Sequence, residues 1–256
     1  MKKMLAVILA AGLLLLSACT LGDAQLRDIK KRGVLRVGIK VDVPFFGYID
    51  PETNEIEGLE IDLARALAES IFGNEDAVEL FAVNAKTRGP MLNNGIVDVV
   101  MATFTITEER QLVFNFSQPY YTDEIGVLVR NDSPIYDLSA LDGKTVGVAQ
   151  ASTTSTALAA HAEALGITVS FREFANCPEI MAALLDGRVD AFSIDGAILR
   201  GYVDDETRLL DKGFDPQEYG IATKLENAAW ARHVDNFVAK LKKSGELDNI
   251  IAKWGI

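Results

Sequence analysis

The sequence predicts an α/β protein of two lobes, each a mostly parallel sheet flanked by helices, joined by a two-strand hinge. Two observations carry that expectation. Strand-like and helix-like segments alternate along the chain, which is the pattern of parallel βαβ units, and the alternation runs twice. In addition, Gly95-Ile96-Val97-Asp98 before one apolar strand is echoed by Gly187-Arg188-Val189-Asp190 before another. Each glycine would end a helix and each aspartate would lead into a strand.

The elements follow in order. Residues 24–32 have helical character and residues 34–39 read as a buried strand. Apolar residues recur at helical spacing over residues 60–72, and Gly73 stops that helix. Strands are expected at 77–83 and 97–102. The second series starts at Lys144-Thr-Val-Gly-Val148, passes through an alanine-rich helix at 154–165, and reaches a strand at 168–173. The chain is expected to cross between lobes near 121–126 and to return near 216–221. Helices at 226–243 and 246–254 then complete the first lobe, which comprises 24–122 with 220–256; residues 126–215 form the second.

The first eighteen residues read as an export signal: Lys2 and Lys3 precede an apolar run that ends in Leu16-Ser17-Ala18-Cys19. The run is shorter than the roughly 20 residues that cross a bilayer as a helix, so a permanent span is the weaker reading. Small residues ending in cysteine resemble the lipobox of bacterial lipoproteins, which implies lipidation of Cys19 and a tether over 19–23. Ordinary cleavage near Ala18 is the alternative. Acyl chains would then anchor the exported protein to a membrane by hydrophobic burial. Cys177 would be the single cysteine besides Cys19, so no internal disulfide can form in the mature chain and the fold rests on its core. A hydrophobic content of 49% supports such a core. A net charge of −12, or −14 without Lys2 and Lys3, argues against a nucleic-acid partner.

Thr103 and Asp195 each lie five residues beyond the aspartate of their repeat, at the ends of equivalent strands, where such sheets bind ligands. Thr107 is a plausible N-cap with Glu108 and Glu109 in the first turn, which places Arg110 beside the same strand end. An α-amino acid needs paired donors for its carboxylate and acceptors for its ammonium. Arg110 offers the planar fork and Thr105 a further donor, while Asp195 and Thr103 offer acceptors from opposite lobes. The competing readings are a surface ion pair of Arg110 with Glu108 or Glu109, and a helix cap for Asp195.

These residues resemble the extracellular solute-binding proteins of polar amino-acid ABC importers. The motifs are Gly58-Leu-Glu-Ile-Asp-Leu-Ala64, Ala102-Thr-Phe-Thr-Ile-Thr-Glu-Glu-Arg110, Phe116-Ser-Gln-Pro-Tyr-Tyr121, Gly143-Lys-Thr-Val-Gly-Val148 and Gly187-Arg-Val-Asp-Ala191, spread over essentially the whole mature chain. The resemblance implies a periplasmic-binding-protein fold that closes about a hinge. It also implies that Arg110 and Thr105 hold the α-carboxylate and Asp195 the ammonium, with an ABC permease as partner and no cofactor. Many members carry a tyrosine shortly before the Pro-Phe that here reads Val43-Pro44-Phe45, and this chain has Asp42 there.

Lys40 ends the first strand, and Asn84-Ala-Lys-Thr-Arg88-Gly-Pro90 opens a short helix, so both Lys40 and Arg88 can bring positive charge to a side-chain pocket. With Val146-Gly-Val-Ala-Gln-Ala-Ser-Thr-Thr154 and Gln217-Glu-Tyr219 the pattern resembles the branch that binds aspartate and glutamate. That likeness carries Lys40, Arg88, Thr153 and Tyr219 over as side-chain or closing contacts. Arg88 paired with a surface acid, or capping its helix, is the alternative. Thr153 can also serve as an N-cap. Glutamine, cysteine or another polar amino acid is the alternative ligand. His161, His233 and Lys86 read as surface residues and Cys177 as a packed thiol. No nucleophile–base pair, metal cluster or isolated general acid supports an enzyme, and a monomer is expected; a sensor or adhesin on the same fold is the rival function.

Overall fold

The computed structural model describes residues 24–256. The signal-peptide and Cys19 anchor readings lie outside the described residues.

Helix α1 (Ala24–Arg32) gathers Lys30, Lys31 and Arg32 in its last turn, where they face the negative end of the helix dipole. Strand β1 (Leu35–Ile39) leads to an antiparallel three-stranded sheet of β2 (Asp42–Val43), β3 (Gly47–Ile49) and β4 (Ile56–Glu57). Helix α2 (Leu59–Phe72) ends on Gly73 at φ 67°, the left-handed stop that the sequence places there. Then come β5 (Val78–Ala82), α3 (Arg88–Asn93), β6 (Val99–Met101), the one-turn α4 (Glu108–Gln111) and β7 (Phe114–Phe116). Strand β8 (Tyr121–Arg130) is followed by β9 (Lys144–Ala149), α5 (Thr154–Leu165), β10 (Val169–Phe174), α6 (Cys177–Leu185), β11 (Ala191–Asp195) and α7 (Gly196–Arg200). The chain closes with β12 (Thr207–Leu209), β13 (Phe214–Tyr219), β14 (Ala222–Lys224), α8 (Ala228–Ser244) and α9 (Glu246–Trp254).

Two lobes result, as expected. One is built on a five-stranded sheet in the order β5-β1-β6-β14-β7, the other on β10-β9-β11-β8-β12 with β13 also paired to β8. Each sheet is parallel where βαβ units build it and antiparallel where other strands join: β1 pairs in parallel with β5 and β6, but β14 pairs antiparallel with β6 and β7. Strand β8 carries the chain into the second sheet, and β13 returns antiparallel beside it, Tyr219 opposite Tyr121. Helix and strand limits fall within about two residues of those read from the sequence, the usual uncertainty of element ends.

The four-residue echo has a structural cause. Gly95 and Gly187 take φ 69° and 70°. Asp98 then donates its amide to the Arg36 carbonyl at 2.8 Å and accepts the Arg36 amide on Oδ2 at 2.9 Å. Asp190 does the same with Thr145, at 2.8 Å in both directions. Each aspartate therefore locks the start of its strand to the neighbouring parallel strand, fixing the register that puts residue 103 or 195 at the cleft.

Both histidines are half-buried instead of lying on the surface. The His161 ring packs edge-on against Phe214 at 4.7 Å, and His233 stacks on the buried Trp230 at 5.4 Å. Polar periodicity hid these aromatic contacts, which come from distant segments. Cys177 is a packed thiol, and burial pushes its pKa up to about 12.

Candidate functional site

Six of the eight residues expected at the ligand site line one cavity between the lobes: Lys40, Arg88, Thr103 and Thr105 from one side, Thr153 and Asp195 from the other. Its volume of about 30 Å³ leaves room for little more than water. The lobes must part to admit any amino acid. Arg110 and Tyr219 do not line the cavity but touch residues that do.

Local sequence sets each side chain. Asn84 Oδ1 accepts the amides of Lys86 and Thr87 at 3.0 and 2.9 Å, a turn that delivers Arg88 to the first position of α3. Arg88 is 3% exposed and points back at β6, donating from Nη1 to the Ala102 and Thr103 carbonyls at 2.6 and 3.0 Å. It pairs with no surface acid: no described carboxylate oxygen lies within 4 Å of it, and its Nε has no partner. Its guanidinium rests over the Phe104 ring at 4.0 Å, and that of Arg110 over the same ring at 4.9 Å. Burial and the neighbouring Arg110 lower the Arg88 pKa to about 9, against the pull of Glu60 and Asp195.

Thr107 caps α4 as expected, its Oγ1 accepting the Arg110 amide at 3.1 Å. The Arg110 side chain forms no ion pair with Glu108 or Glu109. It donates to the Thr105 carbonyl at 2.8 Å and, across the cleft, to the Ala151 carbonyl at 3.2 Å. A guanidinium has five N–H donors, so others remain for a ligand carboxylate. Lys40 also lines the cavity, but its ammonium is held by Asp42 at 2.8 Å.

Neither alternative capping role holds for the residues of the second lobe. The Thr153 hydroxyl does not cap α5; it donates to Gln217 Oε1 at 2.7 Å, tying that helix to the returning strand. Asp195 does not cap α7; its Oδ2 accepts the Tyr219 hydroxyl. Burial is the main cause that pushes the Asp195 pKa up to about 7, with Asp123 adding to it and the Tyr219 hydrogen bond, Arg88 and Arg110 pulling the other way. Sequence reasoning assigned no role to Ser152, which lines the cavity, or to Glu60, Tyr120 and Gln217, which support it from behind through hydrogen bonds. Glu60 reads as an ordinary acidic residue in a first helical turn, and nothing local reports its burial.

Residues 35–256 match the family described as bacterial extracellular solute-binding proteins, family 3, and the chain belongs to that family. Among its relatives, the glutamine-binding protein of Geobacillus stearothermophilus is 40% identical over 84% of this chain and 82% of its own length. The ABC transporter glutamine-binding protein GlnH of Bacillus subtilis is 36% identical over 99% of this chain and 97% of its own. The solved solute receptor for L-cysteine of Neisseria gonorrhoeae superposes with a TM-score of 0.81 at 28% identity, covering 89% of this chain and 92% of that one. Among the described residues no helix is long and apolar enough to cross a membrane.

Proposed function

We propose that this protein is the receptor of an amino-acid ABC importer and that it captures aspartate or glutamate between its lobes for delivery to a membrane permease. The carrying observation is that two cations, Lys40 and Arg88, line the same cavity as the residues assigned to the α-amino-acid group. Arg110 with Thr105 suits the α-carboxylate and Asp195 with Thr103 suits the ammonium, which leaves Lys40 and Arg88 for a side-chain carboxylate. A buried distal carboxylate without a cation costs several kcal/mol, and Arg88 is a buried cation with no carboxylate within ion-pair distance. Ligand binding then joins charges of the two lobes, so binding and closure are one event.

A second reading is glutamine. It is favoured by the names of the two bacillary relatives and by the Lys40–Asp42 pair, which removes one cation from the pocket. Calorimetric titration of ligand-stripped protein with single L-amino acids separates them. Micromolar or tighter binding confined to aspartate and glutamate supports the first reading, and tight binding of glutamine alone replaces it with the second. Export and anchoring through Cys19 belong to the same proposal, with Cys19→Ser expected to release the protein from the membrane fraction.

A further inference from the structure

Glu60 takes no part in the ligand contacts assigned above, yet it is a completely buried carboxylate directly behind them. Its Oε1 accepts the Thr103 amide at 2.5 Å and the Tyr120 hydroxyl, while its Oε2 has no hydrogen-bond partner. From the other side, Arg88 donates to the carbonyls of Ala102 and Thr103. The turn at residues 102–103 is thus gripped through its amide by Glu60 and through its carbonyls by Arg88.

That turn needs the grip. Thr103 takes φ 44°, a left-handed conformation that a β-branched residue avoids unless its surroundings impose it. The turn also carries Thr103 and Thr105 into the cavity wall. A glutamine at position 60 would accept the same two hydrogen bonds without the desolvation of a charge, so the hydrogen bonds alone do not account for a carboxylate. Burial raises the Glu60 pKa, and the Tyr120 and Thr103 hydrogen bonds, followed by Arg88 and Lys40, the two cations that line the cavity, pull it back down.

We propose that Glu60 is a positioning residue of the ligand site: its acceptor oxygen holds the Thr103 turn, and its charge is the standing counter-ion of Arg88 against which a ligand side chain competes. It would therefore set the selectivity between acidic and amide side chains. This inference rests on the placement of Arg88 at the ligand side chain made above.

The test is calorimetric titration of wild type, Glu60→Gln and Glu60→Met with L-glutamate and L-glutamine, folding being checked by circular dichroism. Unit charges several ångströms apart at an effective dielectric constant of about 20 interact by more than a factor of ten. Glu60→Gln keeps the Thr103 bond and is expected to shift the glutamate-to-glutamine affinity ratio about tenfold toward glutamate. The same substitution in an Arg88→Met background is expected to shift it less than threefold, a coupling that a merely structural role would not produce. Glu60→Met, which loses the acceptor, is expected to weaken both ligands at least tenfold; should it fail to fold, the glutamine variant still decides. A ratio unchanged within twofold in Glu60→Gln overturns the inference. Because the ratio is read within each variant, a wild type that prefers glutamine removes the acidic reading and leaves this inference standing, whereas a wild type that binds neither ligand removes both.

Discussion

Asp42 meets Cys177 across the cleft, its Oδ2 accepting the Cys177 amide at 3.2 Å. Cys177 opens α6, so the carboxylate sits at the positive end of a helix of the second lobe. The other oxygen holds Lys40, and the Asp42 carbonyl accepts the Tyr202 hydroxyl. Together with the Arg110–Ala151 bond, these contacts join the two lobes in the closed form.

Asp42→Ala removes both side-chain links. A hydrogen bond to a charged group contributes about 1.5–3 kcal/mol, so the variant is expected to bind every ligand at least tenfold more weakly. Small-angle scattering of the ligand-free protein is expected to report a larger radius of gyration than wild type. Unchanged scattering and affinity would show that closure does not depend on this link.

Arg110 and Arg88 are expected to fail differently. Arg110→Ala removes the fork assigned to the group common to all α-amino acids and is expected to weaken aspartate, glutamate and glutamine alike, by at least a hundredfold. Arg88→Ala is expected to weaken the acidic ligands at least tenfold more than glutamine. An equal loss for every ligand would detach Arg88 from the side-chain pocket and leave it only its hold on the carbonyls of residues 102 and 103.

Gly58 is a stability test of the platform under the site. It takes φ 135°, and a Cβ there would lie 2.2 Å from the Phe46 carbonyl oxygen, which is backbone and cannot swing aside. Gly58→Ala is expected to destabilise the protein by more than about 2 kcal/mol, seen as a lowered thermal midpoint. Gly143→Ala, at φ 69° with open space around it, is expected to cost about 1 kcal/mol or less.

How much could be read beforehand divides by range. The glycine stop at Gly73, the Thr107 cap and the strands around the Asp98 and Asp190 repeats depend on neighbours within a few residues, and local sequence states them. Placement of Lys40, Arg88 and Asp195 at one cavity followed from those strand ends and from the family resemblance. What stayed hidden depends on contacts far along the chain: Glu60 on Tyr120, Thr153 on Gln217 and His161 against Phe214. Neither periodicity nor composition reports which polar side chain a distant segment will cover.

The pH dependence of binding tests Asp195 most directly. Its pKa is raised by burial to about 7, and it must be ionised to accept a ligand ammonium. Affinity is therefore expected to rise from pH 5.5 to about 7 and level off above, with protons released on binding in that window and the release read from calorimetry in buffers of different ionisation enthalpy. For the free protein the sign is opposite. A carboxyl raised in the folded state holds a proton that the unfolded chain has lost between about pH 4 and 7, so its contribution to stability falls as pH rises through that window. Asp195→Asn is expected to flatten both profiles while abolishing tight binding. The Tyr219 hydroxyl favours the ionised form by donating to it, so Tyr219→Phe raises the Asp195 pKa further. Weaker binding at pH 7 that recovers toward wild type near pH 9 is the expected signature; a loss independent of pH would mean that Tyr219 acts by packing, as its contacts with Phe46 and Tyr121 allow.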